Sequence, residues 1–392
     1  MKWLPAENDL IKEQTDFRNL VWTEHRNIYV CGFPGSGKSV CLLYAVKTLR
    51  DKNPNAKILF VEFTHSLIKM IEAALNELEL KNIPVVTYEQ FRYKYRDHYD
   101  FIICDEVQDI SAPLLELMKK RATRIIVGGD PNQSIYAELP SGEPTIGQSE
   151  MKGIISPLPI ELTILHRLNK FLIRSITSFM PDMKMLAEKS SMLKKHKPAY
   201  VWRCMDQKDE VKRIMDDAKT SLNYGNSVAI LLPSHKKIET FVNLFLESEN
   251  KPSFDFSKER QHNKPNYGLL NQHFAKHGIK MQSITNGYGS LVTDTDKIIL
   301  STYHSSKGLD FDKVFLPFCN QGYGPEDDAR LFMVAMSRSR NDLILSFTND
   351  MNQFIKKFYD NREACQFVDY KDTAAGRSIF GNINSSDDED DW

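Results

Sequence analysis

The sequence predicts an α/β protein of two tandem domains, parallel sheets flanked by helices, followed by a flexible acidic tail. Three observations predict it. Short apolar runs that read as buried strands alternate with longer helical stretches in both halves: Ile28-Tyr29-Val30-Cys31, Phe101-Ile102-Ile103-Cys104 and Arg124-Ile125-Ile126-Val127, then Ser227-Val228-Ala229-Ile230-Leu231-Leu232 and Lys297-Ile298-Ile299-Leu300. The length of 392 residues, 41% of them hydrophobic, suffices for two cores. The last stretch, Ser385 to Trp392, holds five acids behind a Gly-, Ser- and Asn-rich linker, a composition that does not pack.

Composition also excludes. No apolar run approaches the roughly 20 residues that cross a bilayer, and Glu7 and Asp9 stand where a signal peptide would be apolar, so an intracellular protein with no membrane partner is expected. Six cysteines, Cys31, Cys41, Cys104, Cys204, Cys319 and Cys365, are scattered without CxxC pairing and read as reduced, buried small hydrophobes. The net charge of −1 carries no basic signal over the whole chain, although the tail alone holds five acids.

The first strand runs into Gly32-Phe33-Pro34-Gly35-Ser36-Gly37-Lys38-Ser39, and a helical stretch follows from Val40 to Leu49. This is a complete P-loop. Its glycines let backbone N–H groups turn onto phosphates, the helix N-terminus adds positive charge, Lys38 reaches the terminal phosphates and Ser39 ligates Mg²⁺. The second strand ends in Asp105-Glu106-Val107-Gln108-Asp109, placing carboxylates at the C-terminal edge of a parallel sheet, where α/β proteins bind ligands. Asp105 suits the Mg²⁺ shell and Glu106 the activation of water.

A third strand leads into Gly129-Asp130-Pro131-Asn132-Gln133-Ser134-Ile135-Tyr136. That segment and Asp105 to Asp109 resemble signature motifs of UvrD/Rep-like superfamily 1 helicases, a compact form without large accessory insertions. Leu165-His166-Arg167, Ser301 to Asp312 and Arg330 to Arg338 follow in the family's order. The resemblance implies two RecA-like P-loop NTPase domains, 1–158 and 159–370, with a tail over 371–392. It also implies roles: Gln133 senses the γ-phosphate, while Arg167 and Arg338 reach across from the second domain to the transferring phosphoryl group. Gln14 reads adenine, and the nucleotide cradle comprises Gln14, Gly35, Ser36, Gly37, Lys38, Ser39, Val40, Gly308 and Asp310. Phe63, Thr64, His65, Thr87, Tyr88, Tyr136, Thr302 and His304 form the nucleic-acid track; each taken singly reads equally as a capping hydroxyl or a packed aromatic. Three positions depart from the pattern: His166 for tyrosine, Ser337 for threonine, and Asp310 for a ribose-binding glutamate.

The expected activity is ATP-dependent translocation on single-stranded DNA, 3′-to-5′ by resemblance, with RNA left open. The alternative is an ATPase switch subunit of a recombination, replication or phage-defence complex. The gaps Thr64 to Asp105 and His166 to Thr302 leave no room for accessory subdomains. The Trp-ended acidic tail suits docking on a partner protein's basic groove, folding back on this chain's own groove, or plain solubilisation.

Overall fold

The structure, a computed structural model, describes residues 4–63, 65–139, 141–190, 197–257, 260–261, 264–285, 289, 291, 296–322, 328–359 and 364–372. Thr64 and the acidic tail lie outside the described residues, as does the side chain of His65. The chain divides into two compact units, the first running to Asn169 and the second beginning at Lys170, with 188–190 returning to the first.

The first unit is built on six strands: β1 (Ile28–Gly32), β2 (Ile58–Glu62), β3 (Val85–Thr87), β4 (Tyr99–Cys104), β5 (Ala122–Gly129) and β6 (Leu158–Leu162). They lie in the order β3-β2-β4-β5-β1-β6, all parallel. Six helices cover the sheet: α1 (Lys12–Thr23), α2 (Lys38–Lys52), α3 (His65–Glu77), α4 (Tyr88–Tyr93), α5 (Ala112–Arg121) and α6 (Gln148–Ile155). Alternation along the strands makes two cores. Ile28, Val30, Ile58 and Phe60 face Phe17 of α1, Leu42 of α2 and Ile71 of α3. Tyr29, Leu59, Val61 and Ile102 face Phe91 of α4, Leu115 of α5 and Met151 of α6. Strands covered on both faces need apolar residues at successive positions, which is why these runs read as continuous in the sequence.

One boundary is corrected. The reading that ended the first domain at 158 cuts off β6, which pairs with β1 from Ile28↔Leu158 to Gly32↔Leu162. Glu13 of α1 holds the chain beyond it, accepting from Thr163 N at 3.0 Å and Thr163 Oγ1 at 2.5 Å. The first unit therefore keeps residues 159–169.

The second unit repeats the scheme with seven strands: β7 (Ala199–Arg203), β8 (Val228–Leu232), β11 (Met281–Ser283), β12 (Ile298–Thr302), β13 (Phe311–Leu316), β14 (Ser339–Phe347) and β15 (Cys365–Asp369). Their order is β11-β12-β8-β13-β14-β7-β15, again parallel, and the short β9 (Arg260–Gln261) and β10 (Lys264–Pro265) form a separate antiparallel ribbon. The helices are α7 (Lys170–Phe179), α8 (Gln207–Asn223), α9 (His235–Ser248), α10 (Tyr267–Lys276), α11 (Ala329–Met336) and α12 (Gln353–Tyr359). The fold class read from the sequence, two parallel-sheet α/β units with flanking helices, is the one observed. Five of the six cysteines are buried, Cys31 is half-buried, and all are free. Among the described residues no helix is long and apolar enough to cross a membrane.

Two buried charges position backbone. Arg124 of β5 donates to Arg26 O at 2.7 Å and Val21 O at 2.6 Å, neutralising carbonyls at the C-terminal end of α1. Arg124→Met should cost about 2–4 kcal/mol through those charge-assisted bonds; a melting transition of the full chain lowered by several degrees checks this. In the second unit Glu210 of α8 accepts from Phe318 N at 2.8 Å and Ser346 Oγ at 2.6 Å, and so holds Phe318 in a left-handed conformation at φ 60°. Burial pushes the Glu210 carboxyl up to about 7. The folded state thus holds this proton more tightly than the unfolded chain does. The stabilisation is complete below the ordinary carboxylate range and is lost as pH rises through about 7. Glu210→Gln keeps an acceptor without titrating, so its melting temperature relative to wild type should rise between pH 5 and 8; a pH-independent difference would refute the assignment.

Candidate active site

Lys38 opens α2 at the end of the loop that leaves β1. Gly35 and Gly37 take left-handed conformations, φ 76° and 92°, and Ser36 N between them donates to Phe33 O at 3.2 Å, closing the turn. Lys38 Nζ donates to Gly32 O at 2.8 Å and Phe33 O at 3.3 Å, so its charge sits over the loop. Ser36 Oγ is buried and has no hydrogen-bond partner among the described residues. A buried orphan hydroxyl in a loop that also carries an ammonium and opens a helix fits an anionic, oxygen-rich ligand. Val40 continues the first turn of α2, half-buried.

Parallel pairing brings the acids level with this loop. Cys104 of β4 pairs with Val127 of β5 and with Val61 of β2, so Asp105 emerges between Glu62 and Gly128 at the C-terminal edge. Ser39 Oγ donates to Asp105 Oδ2 at 2.5 Å. These are hard oxygen donors, and Mg²⁺ in phosphoryl-transfer sites takes one or two such protein ligands with the rest from phosphate and water, so the pair fits that ion. Among the described residues no cluster of three or more His, Cys, Asp or Glu side chains could hold a metal. Burial, then the neighbouring Glu106, pushes Asp105 up to about 6.

Glu106 itself stands at φ 51°, a left-handed conformation that costs a non-glycine residue about 1–2 kcal/mol. Gln108 Nε2 donates to its Oε2 at 2.5 Å. Gln133 is buried and donates to Asp130 Oδ2 at 3.0 Å. Sequence reasoning missed Glu62. It is buried at the end of β2, accepts from Phe63 N at 2.7 Å, and is held well above the usual carboxylate range by burial and then by Asp105. Its signal was the one that revealed Asp105, a carboxylate directly after an apolar strand.

Gln14 is buried against the loop: a Cβ added at Gly37 would lie 2.4 Å from its Nε2. Its Oε1 accepts from Ile11 N at 3.2 Å. His166 N donates to Gly35 O at 2.8 Å, and a Cβ on Gly35 would meet Arg167 Cβ at 2.3 Å. Arg167 is therefore carried by the first unit, which corrects its assignment to the second: β6 joins the sheet and delivers Leu165 to Arg167 onto the P-loop. His166 Nε2 is buried without a hydrogen-bond partner among the described residues, and burial lowers the ring's pKa.

Within the second unit Arg338 is fully buried and spends its guanidinium locally. It donates to Val334 O at 2.8 Å, Leu309 O at 3.1 Å and Ser337 Oγ at 2.7 Å. In this conformation it ties α11 to the segment after β12. Asp310 is bound to Arg340 at 2.5 Å, a partner the sequence reading did not foresee. Gly308 has φ 81°.

The expected nucleic-acid residues divide. Phe63, Tyr88 and Tyr136 come together, with Phe63 centred 5.4 Å from Tyr88 and 5.0 Å from Tyr136, at the same sheet edge as the acids. Thr87 is the N-cap of α4, its Oγ1 accepting from Gln90 N at 3.1 Å. Thr302 Oγ1 likewise accepts from Ser305 N at 3.1 Å, and burial lowers the pKa of half-buried His304. For the two threonines the capping reading describes the hydroxyl.

A loop of this geometry at a parallel-strand end, with a serine hydroxyl on a strand-terminal aspartate, defines the class as P-loop nucleotide-binding proteins. Family models narrow it. One described as "UvrD-like helicase C-terminal domain" matches residues 237–350, and one described as "AAA domain" matches 19–138. The ATP-dependent DNA helicase Rep of Buchnera aphidicola subsp. Schizaphis graminum (strain Sg) is 34% identical over 74 residues, 16% of this chain and 11% of that protein. Together these matches support a UvrD/Rep-like superfamily 1 helicase. The match thus spans about a tenth of the curated relative's length. Among solved structures, the DUF1998 helicase MrfA bound to DNA is similar at TM-score 0.52 and 10% identity, over 91% of this chain and 51% of that one, a likeness of fold. Arterivirus nonstructural protein 10 (helicase) with DNA matches at TM-score 0.43 and 15% identity, over 88% and 64%.

Gly37→Ala should weaken nucleotide binding at least about tenfold, because it adds left-handed strain and drives a methyl into Gln14. Titration with a fluorescent ATP analogue reads this; unchanged affinity would mean that the loop does not hold nucleotide in this conformation.

Proposed function

We propose that the chain hydrolyses ATP to move along single-stranded DNA, 3′-to-5′. The observation that carries this is one sheet edge presenting Lys38, Ser39, Asp105 and Glu106 beside the aromatic group of Phe63, Tyr88 and Tyr136. Phosphoryl transfer asks for positioning and charge neutralisation, and bases of any sequence stack on aromatic faces. Ser39 and Asp105 would hold Mg²⁺, which supplies Lewis-acid neutralisation of phosphate charge. Glu106 takes the proton of the attacking water, Lys38 binds the terminal phosphates, Gln133 monitors them, and Gln14 orients the base. Arg167 acts from the first unit. A transition-state role for Arg338 would require exchange of its three local bonds for phosphate oxygens. Closure of the two units on ATP and opening after hydrolysis would convert the cycle into movement.

A second reading, an ATPase switch serving a partner, is favoured by one observation. Between α3 and β4 the first unit carries β3 and α4 and no inserted subdomain, so strand separation would fall to another protein. The acidic Trp-ended tail, Asp387 to Trp392, is the proposed docking segment.

Hydrolysis by wild type and Glu106→Gln, each with single-stranded DNA, single-stranded RNA or duplex, tests the reading. Stimulation by single-stranded DNA, reduced at least about a hundredfold by the variant, is expected; hydrolysis indifferent to nucleic acid would support the switch. Because Asp105 is pushed up to about 6, Mg²⁺-dependent nucleotide binding should weaken as pH falls through that value, well above the range of an ordinary aspartate. Calorimetric titration between pH 5 and 8 measures it.

A further inference from the structure

Gln108 lies between the carboxylate assigned to water activation and the segment that carries Tyr136. Its side chain is buried, and both ends of its amide are used. Nε2 donates to Glu106 Oε2 at 2.5 Å, and Oε1 accepts from Asp130 N at 3.0 Å. The orientation has one solution, because a flipped amide would set an oxygen against the Glu106 carboxylate and an NH₂ against the Asp130 N–H.

Asp130 continues the connection. Its Oδ1 accepts from Asn132 N at 3.0 Å and its Oδ2 from Gln133 Nε2 at 3.0 Å, fixing the turn Pro131–Gln133. Three residues later Tyr136 packs against Phe63 at 5.0 Å. A chain of hydrogen bonds and backbone thus joins Glu106 to the aromatic group. On the other side, a Cβ at Gly129 would lie 2.6 Å from Gln108 Oε1 and 2.8 Å from Val107 Cγ1, so the amide fits only because position 129 has no side chain. Gln108 also walls a cavity of about 120 Å³ with Pro131, Ser134, Gln148 and Met151.

We propose that Gln108 is a positioning residue that transmits the placement of the Asp130–Tyr136 segment to the Glu106 carboxylate, so that a strand seated on Phe63, Tyr88 and Tyr136 raises ATP turnover. The inference rests on the function proposed above. A displacement of Asp130 N of a few tenths of an ångström must move the amide, since its hydrogen bond weakens with distance and angle. The amide in turn moves the oxygen of Glu106 that it holds. Gln108 touches no substrate, and its effect is on which carboxylate geometry the resting and strand-bound states populate.

The test uses the full chain, ATP and an oligothymidylate single strand. Gln108→Met keeps length and bulk and removes both hydrogen bonds; Gln108→Leu removes both with a shorter, branched side chain. Turnover with strand should fall about tenfold or more in both variants. KM for ATP and strand affinity should stay within about twofold, and the ratio of stimulated to unstimulated turnover should collapse toward one. A merely structural role would lower both rates by one factor and leave that ratio at the wild-type value, and this result in either folded variant overturns the proposal. A wild-type chain that the strand does not stimulate would instead defeat the proposed function, and this inference with it.

Discussion

Burying negative charge is the constraint around which the first unit is arranged. Glu62, Asp105, Glu106 and Asp109 crowd one end of the sheet with Lys38 as the near cation; burial pushes both Glu62 and Asp105 upward, helped by Asp105 for the first and by Glu106 for the second. Carboxylates so placed must hold protons, gain a cation or be wrapped in donors. The structure uses donors where geometry matters, Ser39 on Asp105 and Gln108 on Glu106. The strands force the crowding, since parallel pairing brings their C-terminal ends to one edge.

The same economy appears where charges are structural. Arg124 and Arg338 are both buried, and both point their guanidinium groups at backbone carbonyls. Arginine suits this because its planar fork serves several acceptors at once. Glu210 is the acidic counterpart, taking one backbone N–H and one hydroxyl. A buried charge in this chain therefore does not by itself mark chemistry; what distinguishes the sheet edge is several acids of one sign together.

The parts of the site that were legible in sequence are those where one backbone conformation demands particular residues in a row. Gly35 and Gly37 are required by left-handed turns, and Asp105-Glu106 follows a strand covered on both faces. Tyr136, Phe63 and Tyr88 were legible through family resemblance, and the structure brings their rings together. What escaped depends on neighbours distant in sequence. β6 is an edge strand with Pro159 and half-exposed positions, so it lacks the apolar run that announced the others. Arg167, which follows β6, shares its obscurity: nothing in the local sequence ties it to the first unit. The partners of Arg338 and Asp310 are carbonyls and Arg340, which no spacing rule reveals.

The placement of β6 also determines where this protein can be divided. A fragment ending at 158 would leave β1 as a bare edge, with unpaired N–H and C=O groups from Ile28 to Gly32 presented to any other strand in solution. It would invite self-association at the strand that delivers the P-loop, and it would lose His166 and Arg167 as well. A fragment ending at Asn169 keeps that edge covered and the arginine in place. The strand hardest to read in sequence is thus the one that separates a covered sheet from a sticky half-sheet.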